Sequence, residues 1–272
     1  MHGVPVTAER LGLKGPRGWA FRGISLDAGP GALIAVEGPS GSGRTCLLLA
    51  LTGRMKSTEG SATVGGAGLP GQLAAVRRIS AVANVAGVTD LEPALTVGEH
   101  LRERALLHSR FGDSLRALLR PRAERTARAK ERVEDALAAA GLDLESLPKG
   151  ARTAVRDLER IEALRLSIAL ALVGKPRLLA VDDADLKLSE SERAEVRTLL
   201  ASIAEAGTTV VAVCGQAMAG AVVVRTEAAQ TTRATEPAEA TSTTSRTTTT
   251  TTTAASAVKK GAGDALAATG RA

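Results

Sequence analysis

A chain of 272 residues with 44% hydrophobic content has material for one large core or two small ones, and its formal net charge is +6. With no Tyr, two Phe and one Trp, that core is aliphatic, and a site built on aromatic stacking has little to draw on. Residues 1–10 lack a signal-peptide core, and the longest apolar runs, 167–174 and 217–224, fall far short of a bilayer crossing, so the chain is not expected to span a membrane by itself.

From Val4 to Leu26 short apolar stretches alternate with Gly and Pro, which predicts a small antiparallel β element. Pro30-Gly31 then turns the chain into an apolar strand, Ala32 to Val36. After it comes Gly38-Pro39-Ser40-Gly41-Ser42-Gly43-Arg44-Thr45, followed by the helical pattern Cys46 to Leu51. Strand, glycine loop and helix in that order are the context of a phosphate-binding loop: glycines turn backbone N–H groups toward phosphates, and the helix N-terminus adds partial positive charge. Gly38 through Cys46 are therefore candidate nucleotide-binding residues, with Arg44 standing where such loops usually carry lysine. Cys46 and Cys214 suit small buried side chains better than a disulfide, which fits a reducing cytoplasm.

Ser61 to Val64 and Ile79 to Val82 read as further short strands. Leu95 to Gly141 is predicted mostly helical: Thr96 and Glu99 have capping-box spacing, apolar residues recur at Leu101, Ala105, Leu106, Leu115, Leu118 and Leu119, and Pro121 splits the run in two. Residues 100–135 hold ten Arg or Lys against six Asp or Glu, either a solvated helix face or a surface for an acidic partner or anionic lipid heads. A helix is predicted over 153–172, a buried strand over 178–181 ending on Asp182-Asp183, a helix over 189–206 and a last strand over 208–213. Strands separated by helices imply a parallel α/β sheet with its ligand at the strands' carboxyl ends, where Gly38 and Asp182 both fall. Beyond Glu227, Thr, Ala and Ser dominate, with unbroken threonine from 247 to 253, so 227–272 is predicted to be a disordered tail.

Taken together, residues 4–225 resemble the ATPase subunit of ATP-binding-cassette (ABC) transporters. The resemblance rests on Ile24-Ser25-Leu26 and Gly31, the loop itself, Leu51-Thr52-Gly53, Thr58-Glu59-Gly60-Ser61, Leu95 to Leu101, and Ile168 to Pro176 leading into the strand before Asp182. It implies an α/β P-loop NTPase fold with an N-terminal antiparallel element, a nucleotide-binding domain over 1–226 and a helical subdomain over about 95–172. It further implies that Gly38 to Thr45 cradle the triphosphate of ATP, that the Thr45 hydroxyl and Asp182 carboxylate hold Mg²⁺, and that Asn84 stands near the metal where a glutamine is usual.

Several positions depart from the family pattern. The signature motif falls on Leu158-Glu159-Arg160-Ile161-Glu162 without its glycines or serine; the catalytic glutamate is Asp183; Gly215 stands near the switch histidine and Gly15 near the adenine-stacking aromatic, with Trp19 as the nearest substitute. Bulky Arg160 and Ile161 are expected to obstruct phosphate approach, and Arg44 and Asp183, the candidate catalytic pair, to be poorly matched to their tasks. The expectation is a subunit that binds Mg-ATP with weak or lost hydrolysis, peripheral at the inner face of the membrane beneath a separately encoded permease. It would pair as a homodimer, or as a heterodimer with an intact ATPase. Two alternatives are an inactive scaffold for an intact cassette and, with less support, a basic nucleic-acid-binding protein.

Overall fold

The computed structural model describes residues 2–16, 18–111, 121–216 and 218–227. The expected helical positions Leu115, Leu118 and Leu119, and the tail from residue 228 on, lie outside the described residues. The chain opens with a hairpin of β1 (Val6–Gly15) and β2 (Gly18–Ala28). β1 pairs on its other side with β4 (Glu59–Val64), which pairs with β5 (Ala67–Leu69), giving an antiparallel sheet in the order β2-β1-β4-β5.

A second sheet is parallel throughout and holds β3 (Leu33–Glu37), β6 (Ser80–Ala83), β7 (Leu178–Val181), β8 (Thr209–Val213) and β9 (Val222–Arg225), in the order β6-β7-β8-β3-β9. Its central strands are almost wholly apolar because both faces are covered, β7 on every residue and β3 and β8 on all but one, and the period-two alternation sorts their side chains into two cores. Ile34, Val36, Leu178, Ala180, Val211 and Val213 pack toward the antiparallel sheet and α1 (Arg44–Leu51), together with Val4, Phe21 and Leu48. Ala35, Leu179, Val181, Val210 and Ala212 pack the other way, with residues of α4 (Arg122–Ala139), α5 (Arg160–Leu172) and α6 (Glu190–Glu205).

α3 (Val97–Phe111) begins at the expected capping box, with the Thr96 N–H donating to Glu99 Oε2 at 2.7 Å and the Glu99 N–H to Thr96 Oγ1 at 3.2 Å. The helix expected over 153–172 starts only at Arg160. Its first part bonds elsewhere: the Val97 N–H donates to the Thr153 carbonyl at 3.0 Å and the Val155 N–H to the Leu95 carbonyl at 2.9 Å, so this stretch clips onto the entry to α3 and coils only through a 3₁₀ turn at Val155–Asp157. β5, β9 and α2 (Leu73–Ile79) were not expected from the sequence.

Candidate functional site

The glycine loop leaves β3 at Glu37 and enters α1 at Arg44, at the carboxyl edge of the parallel sheet. Gly43 caps α1 at φ 80°, and a Cβ there would collide with the Ala20 carbonyl, so no other residue fits between loop and hairpin. No side chain caps α1, and its first-turn N–H groups, which lack acceptors within the helix, are left for a ligand. Gly41 takes φ 80° with open space on its free side. Pro39 and Ser40 are exposed, while Ser42 turns inward with no exposure and shares a 2.6 Å hydrogen bond with Thr226 Oγ1. Thr226 also donates from Oγ1 to the Glu37 carbonyl at 3.1 Å and from its N–H at 2.8 Å, so it props the loop from the end of β9. Cys46 sits half-buried in the first turn of α1.

Across the loop, β7 ends on Asp182. Thr45 donates from Oγ1 to Asp182 Oδ2 at 2.7 Å. Asp182 is 3% exposed and its Oδ1 is buried without a partner. Burial pushes its carboxyl above the usual aspartate range, with Asp183 adding repulsion. A buried carboxylate oxygen lacking a partner, beside the Thr45 hydroxyl near the uncapped start of α1, fits a hard divalent cation of the Mg²⁺ type. Asn84 joins them from the end of β6, donating from Nδ2 to the Asp182 carbonyl at 2.8 Å while its own N–H donates to Ser167 Oγ at 2.7 Å. The structure thus brings together Gly38 to Thr45, Asn84, Asp182 and Asp183. Asp183 sits in left-handed backbone at φ 44°, and its Oδ1 lies 3.9 Å from Nη2 of Arg44.

Gly215 lies at the same edge, its N–H donating to Asp185 Oδ2 at 2.7 Å. Burial, helped by the Asp185 and Glu37 charges, pushes the neighbouring Cys214 thiol up to about 11. Sequence reasoning singled out neither Asp185 nor Thr226, and no local pattern marks them. Gly15 closes the hairpin opposite Gly18, and the Trp19 ring carries the Arg22 guanidinium at 4.5 Å from its centroid, with Glu59 bonding Arg22 in turn at 3.0 Å. One face of the nearest aromatic is thereby taken by the chain itself.

At the signature position, Glu159 caps α5 and forms a reciprocal box with Glu162, the Glu159 N–H donating to Glu162 Oε2 at 2.8 Å. Ile161, one of the two bulky residues expected to obstruct close approach, turns inward at 6% exposure into the core beneath α5. Arg160 is exposed and shares with Asn84, Ser167 and Asp183 a groove of about 680 Å³. Where described, the basic stretch carries two internal ion pairs, Glu124 with Arg128 at 3.0 Å and Lys130 with Glu134 at 3.5 Å, while its Asp135 pairs with Lys175 at 2.9 Å.

Comparison with known proteins places the chain in a family. The family described as ABC transporter matches residues 21–185 of the chain. A cytochrome c biogenesis ATP-binding export protein of Pseudomonas putida is 30% identical over 75% of this chain and 86% of its own length. An Fe(3+) ions import ATP-binding protein of Streptomyces avermitilis is 32% identical over 70% of this chain and 49% of its own, and an uncharacterized ABC transporter ATP-binding protein of Bacillus subtilis is 26% identical over 67% and 51%. The chain thus spans about half the length of these last two relatives. Among solved structures, a dimeric bacterial ABC transporter cassette superposes with a TM-score of 0.63 at 20% identity, covering 82% of this chain and 94% of the other. No helix among the described residues is long and apolar enough to cross a membrane. On a match across more than half its length, the chain belongs to the ABC transporter family, with the P-loop fold of its ATP-binding cassettes.

Proposed function

We propose that this chain is the ATP-binding subunit of an ABC-type membrane transporter, binding Mg-ATP with weak or lost hydrolysis. The observation that carries this reading is Asp182 Oδ1, buried and unpartnered beside Thr45 and the uncapped start of α1. Residues 1–226 form the nucleotide-binding domain, with 95–172 as its helical subdomain and 227–272 as a tail. Thr45 Oγ1 and the Asp182 carboxylate hold Mg²⁺, with the Asn84 carboxamide as the next oxygen donor. The metal, when bound, neutralises charge on the phosphates. The loop's N–H groups and Arg44 take the phosphate oxygens. Asp183, one methylene shorter than the usual glutamate, positions water poorly, and a displacement of about 1 Å costs on the order of a hundredfold in rate.

A separately encoded permease is the partner that places this subunit at the inner face of the membrane. Val88, 52% exposed, and Leu107, 46% exposed, flank a groove with His100 and Leu170 and offer an apolar surface to it. The second reading, a scaffold paired with an intact cassette, is favoured by the start of α5, where Glu159 and Glu162 close a capping box and present negative charge where a facing subunit's phosphate would lie. Equilibrium binding of labelled ATP with and without Mg²⁺, run beside a turnover assay, tests both. We expect Mg-dependent binding, turnover near background, and little recovery from Asp183→Glu or Arg44→Lys alone. Turnover of about one per second or more that is lost in Asp182→Ala would overturn the weak-hydrolysis reading. No binding at millimolar Mg-ATP would overturn the nucleotide reading itself.

A further inference from the structure

We propose that Asp183 acts as an internal counter-ion that draws Arg44 away from the phosphate cradle, so that nucleotide must win the guanidinium from Asp183 in order to bind. The inference rests on the nucleotide reading above and adds to it a positioning residue that lowers affinity. Arg44 is the first residue of α1, beside the open loop, and its side chain is only 19% exposed. Its one ion pair among the described residues is with Asp183, at 3.9 Å, and no hydrogen bond fixes its guanidinium elsewhere. A guanidinium in that pocket is attracted to whichever anion lies nearest, and without nucleotide that anion is Asp183.

The geometry of Asp183 supports an electrostatic hold rather than a locked one. Its backbone is left-handed at φ 44°, a conformation that aspartate tolerates better than most residues, and its side chain is 37% exposed. At 3.9 Å the contact is a charge pair without a hydrogen bond, so a polyanion is able to displace it. Asp182 also feels the Arg44 charge, but its Oδ2 accepts from Thr45 and the ion pair within 4.0 Å is made with Asp183. A planar fork on a long stem reaches sideways to a carboxylate more readily than a compact ammonium, which ties this hold to arginine at position 44.

A double-mutant cycle on the full chain tests the proposal, with binding of fluorescent ATP read in Mg²⁺ for wild type, Asp183→Asn, Arg44→Gln and the double variant. Asp183→Asn is expected to tighten binding about fivefold, which is about 1 kcal/mol at ten-fold per 1.4 kcal/mol, the upper end for a partly exposed pair. In the Arg44→Gln background the same change is expected to alter affinity less than about twofold, because no cation remains to be released. Asp183→Glu, which keeps the charge, should stay close to wild type. Equal tightening in both backgrounds would mean general repulsion between Asp183 and phosphate, and would overturn the proposal; so would no tightening in a folded Asp183→Asn.

A readout free of nucleotide separates this proposal from the function it rests on. Phenylglyoxal modification of Arg44, followed by peptide mass spectrometry without ATP, should run several-fold faster in Asp183→Asn than in wild type. If no variant binds ATP, the nucleotide reading fails, and the modification rates alone decide whether Asp183 holds Arg44. Unchanged rates would overturn the hold whatever the nucleotide result.

Discussion

At Asp182 folding and the proposed metal binding pull in opposite directions, since a carboxylate 3% exposed with an unpartnered oxygen costs the fold free energy that a bound cation would return. Its carboxyl titrates above the ordinary value of 3.8, chiefly through desolvation. The folded state therefore holds its proton more tightly than the unfolded one, so the penalty is full at neutral pH and disappears as pH falls below that ordinary value. Asp182→Asn should accordingly stabilise the nucleotide-free protein by about 1 kcal/mol at neutral pH, with the gain shrinking in acid, while removing Mg²⁺ dependence of nucleotide binding. Denaturant midpoints between about pH 4 and pH 8 read the first effect, and labelled-ATP titrations the second. A gain that grew on acidification would reverse the sign and refute the account.

Thr209 shows the opposite balance. Buried without exposure, its hydroxyl donates to the Val4 carbonyl at 2.7 Å and accepts from the N–H groups of Val4 and Gly31 at 3.0 Å each, joining the first residues of the chain to the turn before β3. Thr209→Val keeps the shape and strands two donors and an acceptor, so a loss of about 2–3 kcal/mol is expected in chemical denaturation. A loss under about 0.5 kcal/mol would mean that the strand end relaxes to find other partners.

At the scale of elements, α5 explains why the signature departures are not surface changes. Ile161 supplies core packing, whereas Arg160 is exposed at the helix start. Arg160→Gly is thus expected to cost under about 1 kcal/mol and Ile161→Gly about 3–4 kcal/mol, so the glycine pair cannot be installed without repacking beneath the helix. Urea midpoints of the two variants check this, and equal costs would show that Ile161 is not anchored as described.

The same element marks the limits of the sequence. Period and capping placed β3, β7, β8, α1 and α6 to within a residue or two, because each is continuous in pattern and long enough to show it. The candidate loop and Asp182 stood out for the same reason: the loop's residues are contiguous, and Asp182 directly follows a wholly apolar strand. Glu159 and Glu162 fall at the signature position in the sequence, but their reciprocal cap, which begins α5 at Arg160, becomes visible only when Thr153 to Val155 is seen bonding to Leu95 and Val97. Thr226 and Asp185 act through partners about 190 and 30 residues away, and no local period encodes such a pairing.

For the whole molecule, the point at which the chain is cut decides whether the phosphate loop survives. The composition from 228 onward offers few large apolar residues to bury, so its removal is expected to leave the melting temperature within about 2 °C and ATP binding within about twofold. The residues just before it are a different matter. β9 pairs with β3 from Ile34 to Glu37, Val224 is buried at 4% exposure, and Thr226 holds the Glu37 carbonyl and the Ser42 hydroxyl. A chain ending at Ala221 would lose that edge strand, bare the backbone of β3 and leave the inward-turned Ser42 hydroxyl without its partner. We expect the longer truncation to lose several degrees of thermal stability and at least about tenfold in ATP affinity, with the shorter one unaffected. The comparison needs both chains in one thermal scan and one nucleotide titration. Similar behaviour of the two would remove β9 from the support of the loop, and a large loss in the shorter truncation would show that the Thr-rich segment contributes to the fold.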